Sequence, residues 1–223
     1  MSSICLFTEE LFDLSHTAAR ALLEKARYPW EALPQIGAFL LELGSRLPAS
    51  DYERAGEDVW IHKTAKIYPN NYIAGPCVIG PEAEVRPGAF IRGNALVGAG
   101  CVVGNSTELK NVILFDKVQV PHYNYVGDSI LGYKSHMGAG AVTSNVKQDK
   151  TPVTVAAGES RVETGLKKFG AMLGDQVEVG CGAVLNPGTV IGRGSRVYPL
   201  SMVRGAVPEG SIYKRAGEVA AIR

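Results

Sequence analysis

The feature that most constrains the fold of this chain is a six-residue repeat. From position 61, large apolar residues occupy every sixth position through ten steps: Ile61, Ile67, Ile73, Ile79, Val85, Ile91, Val97, Val103, Leu109 and Phe115. If about a third of residues qualify by composition, such a run arises by chance roughly once in 10⁵ trials. The register breaks near Pro121 and resumes further on, at Leu131, Met137, Leu173, Val179, Leu185, Ile191, Val197 and Val203.

A period of six fits neither an α-helix nor a hairpin meander, and it predicts a solenoid with a triangular coil. Three hexads, about 18 residues, make one coil with one short strand per side. Small residues such as Cys77, Ala95 and Cys101 recur where the corner is crowded, and many of the 26 glycines supply turns that need a positive φ. We therefore predict a mainly β fold, with a parallel β-helix over residues 57–223.

Composition excludes several classes of function. The formal net charge of +1 gives no global field for nucleic acid or for an anionic membrane surface. We expect neither a signal peptide nor a membrane span, because no long apolar run is present. Cys5, Cys77, Cys101 and Cys181 are far apart, which predicts reduced thiols in a cytoplasmic protein and no metal site.

Two segments do not carry the repeat. Residues 1–56 predict a helical hairpin that covers an end or a flank of the solenoid, with helices over 17–26, capped by Ser15, and over 30–46. Pro34 falls in the first turn of the second helix, where proline is tolerated. Residues 146–170 predict an inserted loop with two short strands, 153–155 and 161–164. A long excursion from a tight solenoid is more often functional than accidental.

Three residues are candidates for chemistry on residue type and spacing. Arg92 and Lys110 are 18 residues apart, each directly after an inward apolar residue, so an 18-residue coil stacks them. An anion such as a phosphate or diphosphate would join the two cations; the alternative is a pair of solvated surface charges. His122 lies where the repeat fails, and it is either a general base or a structural histidine.

Three motifs in order identify a resemblance: GNSTELKN at 104–111, PHYNYVGD at 121–128 and GAGAVTSN at 138–145. They resemble the acetyltransferase domain of the bifunctional glucosamine-1-phosphate acetyltransferase/N-acetylglucosamine-1-phosphate uridyltransferase family, most closely the archaeal-type sugar-1-phosphate enzymes. The resemblance runs from about residue 57 to the end of the chain, and YPWEAL at 28–33 is similar to the linker before that domain. It implies a left-handed β-helix, acetyl-CoA as co-substrate and a homotrimer with its sites between subunits.

The resemblance also implies roles for individual residues. His122 matches the catalytic base, Asn145 the asparagine that ends the third motif, and Tyr125 a tyrosine near the sugar. Asn145 or a backbone N–H would hold the oxyanion. Lys110 matches a phosphate ligand, and the arginine of the family matches Arg92 by coil spacing or Arg86 by its neighbouring letters. The lysine of the inserted loop matches Lys168, with Lys150 as a rival. The acetyl-CoA groove corresponds to Ala139, Cys181 and Pro199.

Two departures from the family pattern bear on function. His136 stands where the family has an asparagine at a sugar contact, which leaves the identity of the sugar open. A nucleotidyltransferase domain is missing from this sequence, so pyrophosphorylase activity is not expected.

The main hypothesis is N-acetyl transfer to an amino-sugar phosphate such as glucosamine-1-phosphate. A non-catalytic trimeric module, which binds a sugar nucleotide or assembles with a separate nucleotidyltransferase, is the alternative. A β-helix carbonic anhydrase would need three histidine ligands to zinc. The chain has only four histidines, none of them close together in the sequence, which disfavours that reading.

Overall fold

Short parallel strands stack in three rows, which we call faces 1 to 3. The computed structural model describes residues 4–215 and 218–221. Face 1 contains Val59–His62, Cys77–Ile79, Ala95–Val97, the second halves of Glu108–Leu114 and Tyr125–Leu131, Ala171–Leu173, Thr189–Ile191 and Ala206–Val207. Face 2 contains Lys66–Ile67, Glu84–Val85, Val102–Asn105, Gln119–His122, His136–Met137, Glu178–Val179, Arg196–Val197 and Ser211–Arg215. Face 3 contains Tyr72–Ile73, Phe90–Ile91, the first halves of the two long strands, Val142–Thr143, Val184–Leu185 and Met202–Val203. This confirms the predicted parallel β-helix.

The length of the coil changes along the axis, which corrects the predicted register. Val59 pairs with Cys77 in steps of 18, but Ala95 pairs with Val112 and Val112 with Ser129 in steps of 17. Leu114, not Phe115, therefore stacks on Val97. Phe115 is instead buried one position later, with its ring 5.0 Å from that of Phe12.

The shorter coil has a cause at the corner between faces 3 and 1. Two residues with positive φ, Gly93 and Asn94, turn the chain there in one coil, whereas Asn111 alone does so in the next and Asp128 alone in the one after. The irregularity that we expected near Pro121 therefore begins ten residues earlier. Gln119–His122 itself pairs in regular register with Val102–Asn105.

The residues before the solenoid form a helical layer, as predicted, although with shorter helices. Helices are Thr8–Leu11, Arg20–Leu23 and Ile36–Arg46, and 3₁₀ helices are Leu14–His16 and Pro29–Gln35. Ser15 does not cap the helix Arg20–Leu23, because its hydroxyl bonds Asp13. The Thr17 hydroxyl instead accepts from the backbone N–H of Ala19 at 3.1 Å, just before that helix. Pro34 lies inside the 3₁₀ segment, ahead of the long helix Ile36–Arg46.

The helical layer lies along face 1 because the outward side of that face is apolar from end to end. The outward row consists of Trp60, Val78, Leu96, Ile113, Ile130, Met172 and Val190. The long helix packs on the strands at 77–79, 95–97 and 108–114, and the segment Pro29–Gln35 packs on Tyr125–Leu131. Contact is close enough that a Cβ at Gly44 would lie 2.4 Å from the Trp60 ring. Burial of this row ties the layer to the solenoid.

Antiparallel hairpins complete the architecture. Tyr52–Gly56 pairs with Val59–His62 at one end, and Glu218–Ala221 pairs with Ser211–Arg215 at the other. The inserted loop carries the expected hairpin, with strands Thr154–Ala157 and Ser160–Glu163. Its first strand packs on Ala206–Val207 and so extends the cover of face 1.

The other two faces differ in what they present to solvent. The outward row of face 2 is mostly polar, with Lys66, Glu84, Val102, Gln119, His136, Glu178, Arg196 and Ile212. Face 3 leaves large apolar side chains uncovered: Tyr72 is 59% exposed, Phe90 41% and Met202 55%. Among the helices in the described residues, none is long and apolar enough to cross a membrane.

Cys77, Cys101 and Cys181 are free thiols. Cys77 and Cys101 are fully buried, and burial raises the pKa of each thiol to about 12. These two thiols therefore act as small core residues rather than as nucleophiles.

Candidate functional site

A buried carboxylate gathers three polar side chains at the corner between faces 3 and 1. The side chain of Asp128 is 6% exposed. Lys110 Nζ donates to its Oδ1 at 3.2 Å and to its Oδ2 at 3.1 Å. Asn111 Nδ2 donates to Oδ1 at 3.0 Å, and Asn145 Nδ2 donates to Oδ2 at 2.5 Å. We call these four residues the Asp128 cluster.

The 17-residue coil explains why these side chains meet. Asn111, Asp128 and Asn145 follow one another at intervals of 17, so they occupy the same corner in three successive coils. Asn145 is held further by its carbonyl, which accepts from the backbone N–H of Phe169 at 2.9 Å, where the inserted loop returns. The second acceptor of the Asn111 amide is the carbonyl of Leu33, at 3.2 Å, which joins the cluster to the helical layer.

Arg92 and Lys110 stack in adjacent coils, since they follow the paired residues Ile91 and Leu109. Each cation has a carboxylate of its own: Arg92 Nη1 lies 2.7 Å from Glu108 Oε1, and Lys110 contacts Asp128. The hydrogen bond and the charge of Glu108 raise the pKa of Arg92. Arg92 therefore remains charged at the edge of face 3, as recognition of an anion requires.

Tyr125 lies on face 3, beside this edge. Its hydroxyl is 3.3 Å from Asn145 Nδ2. Burial raises the pKa of Tyr125, and the negative charges of Asp128 and Glu108 raise it further. The hydroxyl therefore stays protonated near neutral pH and can donate a hydrogen bond.

His122 lies at the opposite edge of face 3, at the corner with face 2, and is exposed. Within residues 4–215 and 218–221, no hydrogen bond to another side chain orients its ring. Its backbone carbonyl accepts from the N–H of Gly140 at 3.0 Å. The same ladder of backbone hydrogen bonds continues along the axis: the Gly182 N–H donates to the Ala139 carbonyl and the Leu200 N–H to the Cys181 carbonyl, both at 2.9 Å.

Asn105 precedes His122 at this corner, and we call the part of the corner from His122 to Pro199 the histidine column. The other three members, one per coil, are Ala139, Cys181 and Pro199, so the predicted base and the predicted acetyl-CoA residues stand in one line. Successive coils are about 4.8 Å apart, so the histidine column offers an extended edge along the solenoid axis.

Sequence comparison identifies the domain that carries this geometry. The GMPPB C-terminal domain family matches residues 73–191, more than half of the chain. The chain belongs to this family. The match contains the Asp128 cluster, Arg92, Tyr125 and the column from His122 to Cys181.

Curated relatives of this GMPPB C-terminal domain are bifunctional proteins. The Bifunctional protein GlmU of Methanococcus maripaludis strain C5 is 32% identical over 191 residues, which is 84% of this chain and 46% of the relative. The Bifunctional sugar-1-phosphate nucleotidylyltransferase/acetyltransferase of Sulfurisphaera tokodaii is 32% identical over 156 residues, 70% of this chain and 39% of the relative. The chain thus spans less than half the length of these relatives.

Solved structures with a related fold are more distant. A hexapeptide transferase family protein from Anaplasma phagocytophilum shares 18% identity and a TM-score of 0.42, covering 74% of this chain and 80% of that one. A putative acetyltransferase from Bacillus cereus shares 17% identity and a TM-score of 0.39, covering 72% and 76%.

Other predicted site residues of this GMPPB C-terminal domain lie elsewhere. Arg86 is on face 2 and pairs with Glu84 at 3.0 Å, apart from the Lys110 stack. His136 is also on face 2, with its Nδ1 2.9 Å from Glu178 Oε2. Lys150 and Lys168 are both exposed and flank the hairpin of the inserted loop; Lys168 precedes Phe169, which bonds Asn145. In the part of the chain that the structure describes, no three His, Cys, Asp or Glu side chains converge on a metal position.

Sequence reasoning missed Asp128, Asn111 and Glu108 as site residues. In the sequence, Glu108 and Asn111 are visible only as members of the first motif and Asp128 only as the last residue of the second. A signal was present: the polar residues Asn111, Asp128 and Asn145 recur every 17 positions. An assumed coil of 18 residues conceals that spacing.

Proposed function

We propose that this chain is an acetyl-CoA-dependent N-acetyltransferase that acts on an amino-sugar phosphate such as glucosamine-1-phosphate. The observation that carries the proposal is the arrangement around face 3. The histidine column forms one edge, Arg92 and the Asp128 cluster form the other, and Tyr125 lies between them. The acetyltransferase half of the Sulfurisphaera tokodaii relative supports the same reaction class.

The two edges suit the two ends of such a substrate. His122 and Asp128 are six positions apart, so at about 3.3 Å per residue the edges are separated by less than about 20 Å. A span of that size admits one hexose phosphate between the two edges. Arg92 and Lys110 hold the phosphate by charge-assisted hydrogen bonds, and Tyr125 donates to the sugar.

Proton transfer is the task of His122. An amine attacks a thioester only when it is unprotonated. Its nitrogen bonds to the carbonyl carbon, the carbon–sulfur bond breaks, and His122 takes the proton that the amine loses and returns it to the sulfur of coenzyme A. The column Ala139–Cys181–Pro199 gives the coenzyme an edge along which its pantetheine arm lies.

The functional assembly is a homotrimer in this proposal. The uncovered apolar row of face 3 supports it, because face 1 is already covered and face 2 is polar. A second copy packed on face 3 would bury Tyr72, Phe90 and Met202 and enclose the site. Light scattering coupled to size exclusion should then give about three times the chain mass of 23.8 kDa; a monomer would contradict this part.

Mass spectrometry of reaction mixtures tests the activity directly. With acetyl-CoA and glucosamine-1-phosphate or galactosamine-1-phosphate, we expect a product heavier by one acetyl group, with coenzyme A released in equal amount. Glucose-1-phosphate is the control, because it lacks the amine. If the folded protein acetylates neither amino sugar, the non-catalytic binding module becomes the better account.

Replacement of Arg92 tests the phosphate edge. Arg92→Met should raise KM for the sugar phosphate about 10–100-fold and alter kcat less, because a charged hydrogen bond to the phosphate is lost. Arg86→Met makes the same chemical change on face 2 and should leave KM within about twofold. Initial rates over a range of sugar phosphate concentrations decide between the two arginines, and the reverse pattern would assign the phosphate to Arg86.

A further inference from the structure

The orientation of the Asn145 amide is determined by its neighbour. A carboxylate carries no hydrogen and only accepts, so the Asn145 atom 2.5 Å from Asp128 Oδ2 must be the NH₂ nitrogen. The second hydrogen of that nitrogen points to the Tyr125 hydroxyl, 3.3 Å away. Both donor positions of the amide are therefore engaged within the cluster.

The other side of the Asn145 amide is open. Its Oδ1 receives no hydrogen bond from any residue that the structure describes, and the side chain is partly exposed. A carbonyl oxygen accepts and does not donate. In this orientation Asn145 cannot donate to an oxyanion, whereas it can accept from an N–H or O–H group of a bound substrate.

We propose that Asp128 is a positioning residue that holds the Asn145 amide with its carbonyl oxygen outward, where it accepts a hydrogen bond from an N–H or O–H group of the substrate. This inference rests on the proposed acetyltransferase function. It assigns the oxyanion to a backbone N–H rather than to Asn145. It also gives the buried carboxylate a purpose, since Lys110, Asn111 and Asn145 all depend on it for their orientation.

Asp128→Asn reverses the local polarity. The NH₂ group introduced at position 128 faces Asn145, whose amide then turns its own carbonyl inward and its NH₂ group outward. Lys110 and Asn111 can still donate to the remaining oxygen at position 128. We expect kcat to fall about 10–100-fold, while KM for the sugar phosphate changes less than about threefold.

The exchanged double variant Asp128→Asn/Asn145→Asp restores the proposed arrangement. Asn145→Asp alone brings two carboxylates together and should lower Tm by about 10 °C as well as kcat. In the double variant the amide at 128 donates to the carboxylate at 145, which can only accept and so presents an acceptor outward. We expect kcat at least about tenfold above that of either single variant, and recovery of most of the Tm.

Asn186→Asp is the matched control. Asn186 lies at the same corner in the next coil, directly after Leu185, which pairs with Thr143 across the inserted loop, and its amide donates to the Val203 carbonyl at 2.9 Å. That change should lower Tm and leave kcat unaltered, which separates general destabilisation from a specific effect on turnover.

The possible outcomes separate this inference from the proposed function. Full kcat in Asp128→Asn, or a double variant no faster than the single ones, overturns the acceptor role of Asn145. If the wild type acetylates no amino sugar, the proposed function is wrong, and so is the proposed hydrogen bond from the substrate to Asn145 Oδ1. The Tm values of the four proteins still decide the direction of the Asp128–Asn145 hydrogen bond in that case, since recovery in the double variant supports it and no recovery overturns it.

Discussion

Replacement of His122 by alanine is expected to lower kcat of acetyl transfer about 10²–10⁴-fold, the range typical for loss of a general base. His122 is exposed and its ring bonds no other described side chain, so little packing is lost. The Gly140 N–H to His122 carbonyl bond belongs to the backbone and survives the change. Circular dichroism should therefore show a Tm within a few degrees of the wild type.

The pH profile gives this prediction a second readout. Without a base, the reaction depends on the fraction of amine that is already unprotonated, and that fraction grows as pH rises toward the pKa of the amine. The residual rate of His122→Ala should therefore continue to climb at pH values where the wild-type rate has levelled off. Steady-state rates across neutral and mildly alkaline pH measure the difference.

His62→Ala is the control for loss of an imidazole outside the site. His62 lies in the first coil and bonds Thr64 at 2.9 Å, far along the axis from the Asp128 cluster. Its replacement should leave kcat within about twofold. Equal loss in both variants, or near-normal turnover in His122→Ala, would remove His122 from the mechanism and favour a binding role for the domain.

The stacking of the solenoid was predictable because its cause repeats. Each inward position must be buried, so the same apolar requirement recurs in ten successive hexads and is visible in the sequence. The corners are different, because Gly93 with Asn94 in one coil and Asn111 alone in the next both turn the chain. Several residue types can adopt a positive φ in a corner, so the amino-acid sequence does not show whether one or two residues turn the chain there.

The number of residues in each corner sets the coil length, and the coil length determines which site residues stack on one another. Arg92 and Lys110 were correctly placed in adjacent coils, because an 18-residue step separates them. The next step is 17, which pairs Lys110 with Gly127 and stacks Asp128 on Asn111; the Lys110 ammonium reaches the Asp128 carboxylate from the neighbouring position. Within the chain each cation also has a carboxylate partner, and an assumed coil of 18 residues gave no indication of Asp128, the acid at the centre of the cluster.

A second large effect is expected at Gly104, where the coil next to His122 comes closest. Position 121 is a proline, which has no N–H to contribute to the ladder between coils. The chain approaches tightly at this point instead, so that a Cβ on Gly104 would lie 1.5 Å from the Pro121 carbonyl oxygen and 1.9 Å from its carbon. Both atoms belong to the backbone and have no rotamer by which to move away.

Gly104→Ala should therefore force two coils apart, at a cost of more than about 4 kcal/mol in the free energy of unfolding. That corresponds to a fall in Tm of at least about 10 °C for a chain of this size. Thermal unfolding followed by circular dichroism on the purified variant measures it. Activity should fall as well, because the displaced carbonyl belongs to the residue directly before His122.

Gly194→Ala separates steric collision from backbone strain. Gly194 has a φ of +65°, and a Cβ there would meet nothing within 4 Å. Only the left-handed conformation opposes the change, which costs about 1–2 kcal/mol. The φ of Gly104 is not positive, so the whole of its effect comes from the close approach to Pro121. If the two variants have Tm values within a few degrees of each other, the coils at Pro121 have room to separate. The close contact between Gly104 and Pro121 would then not be what fixes the position of His122.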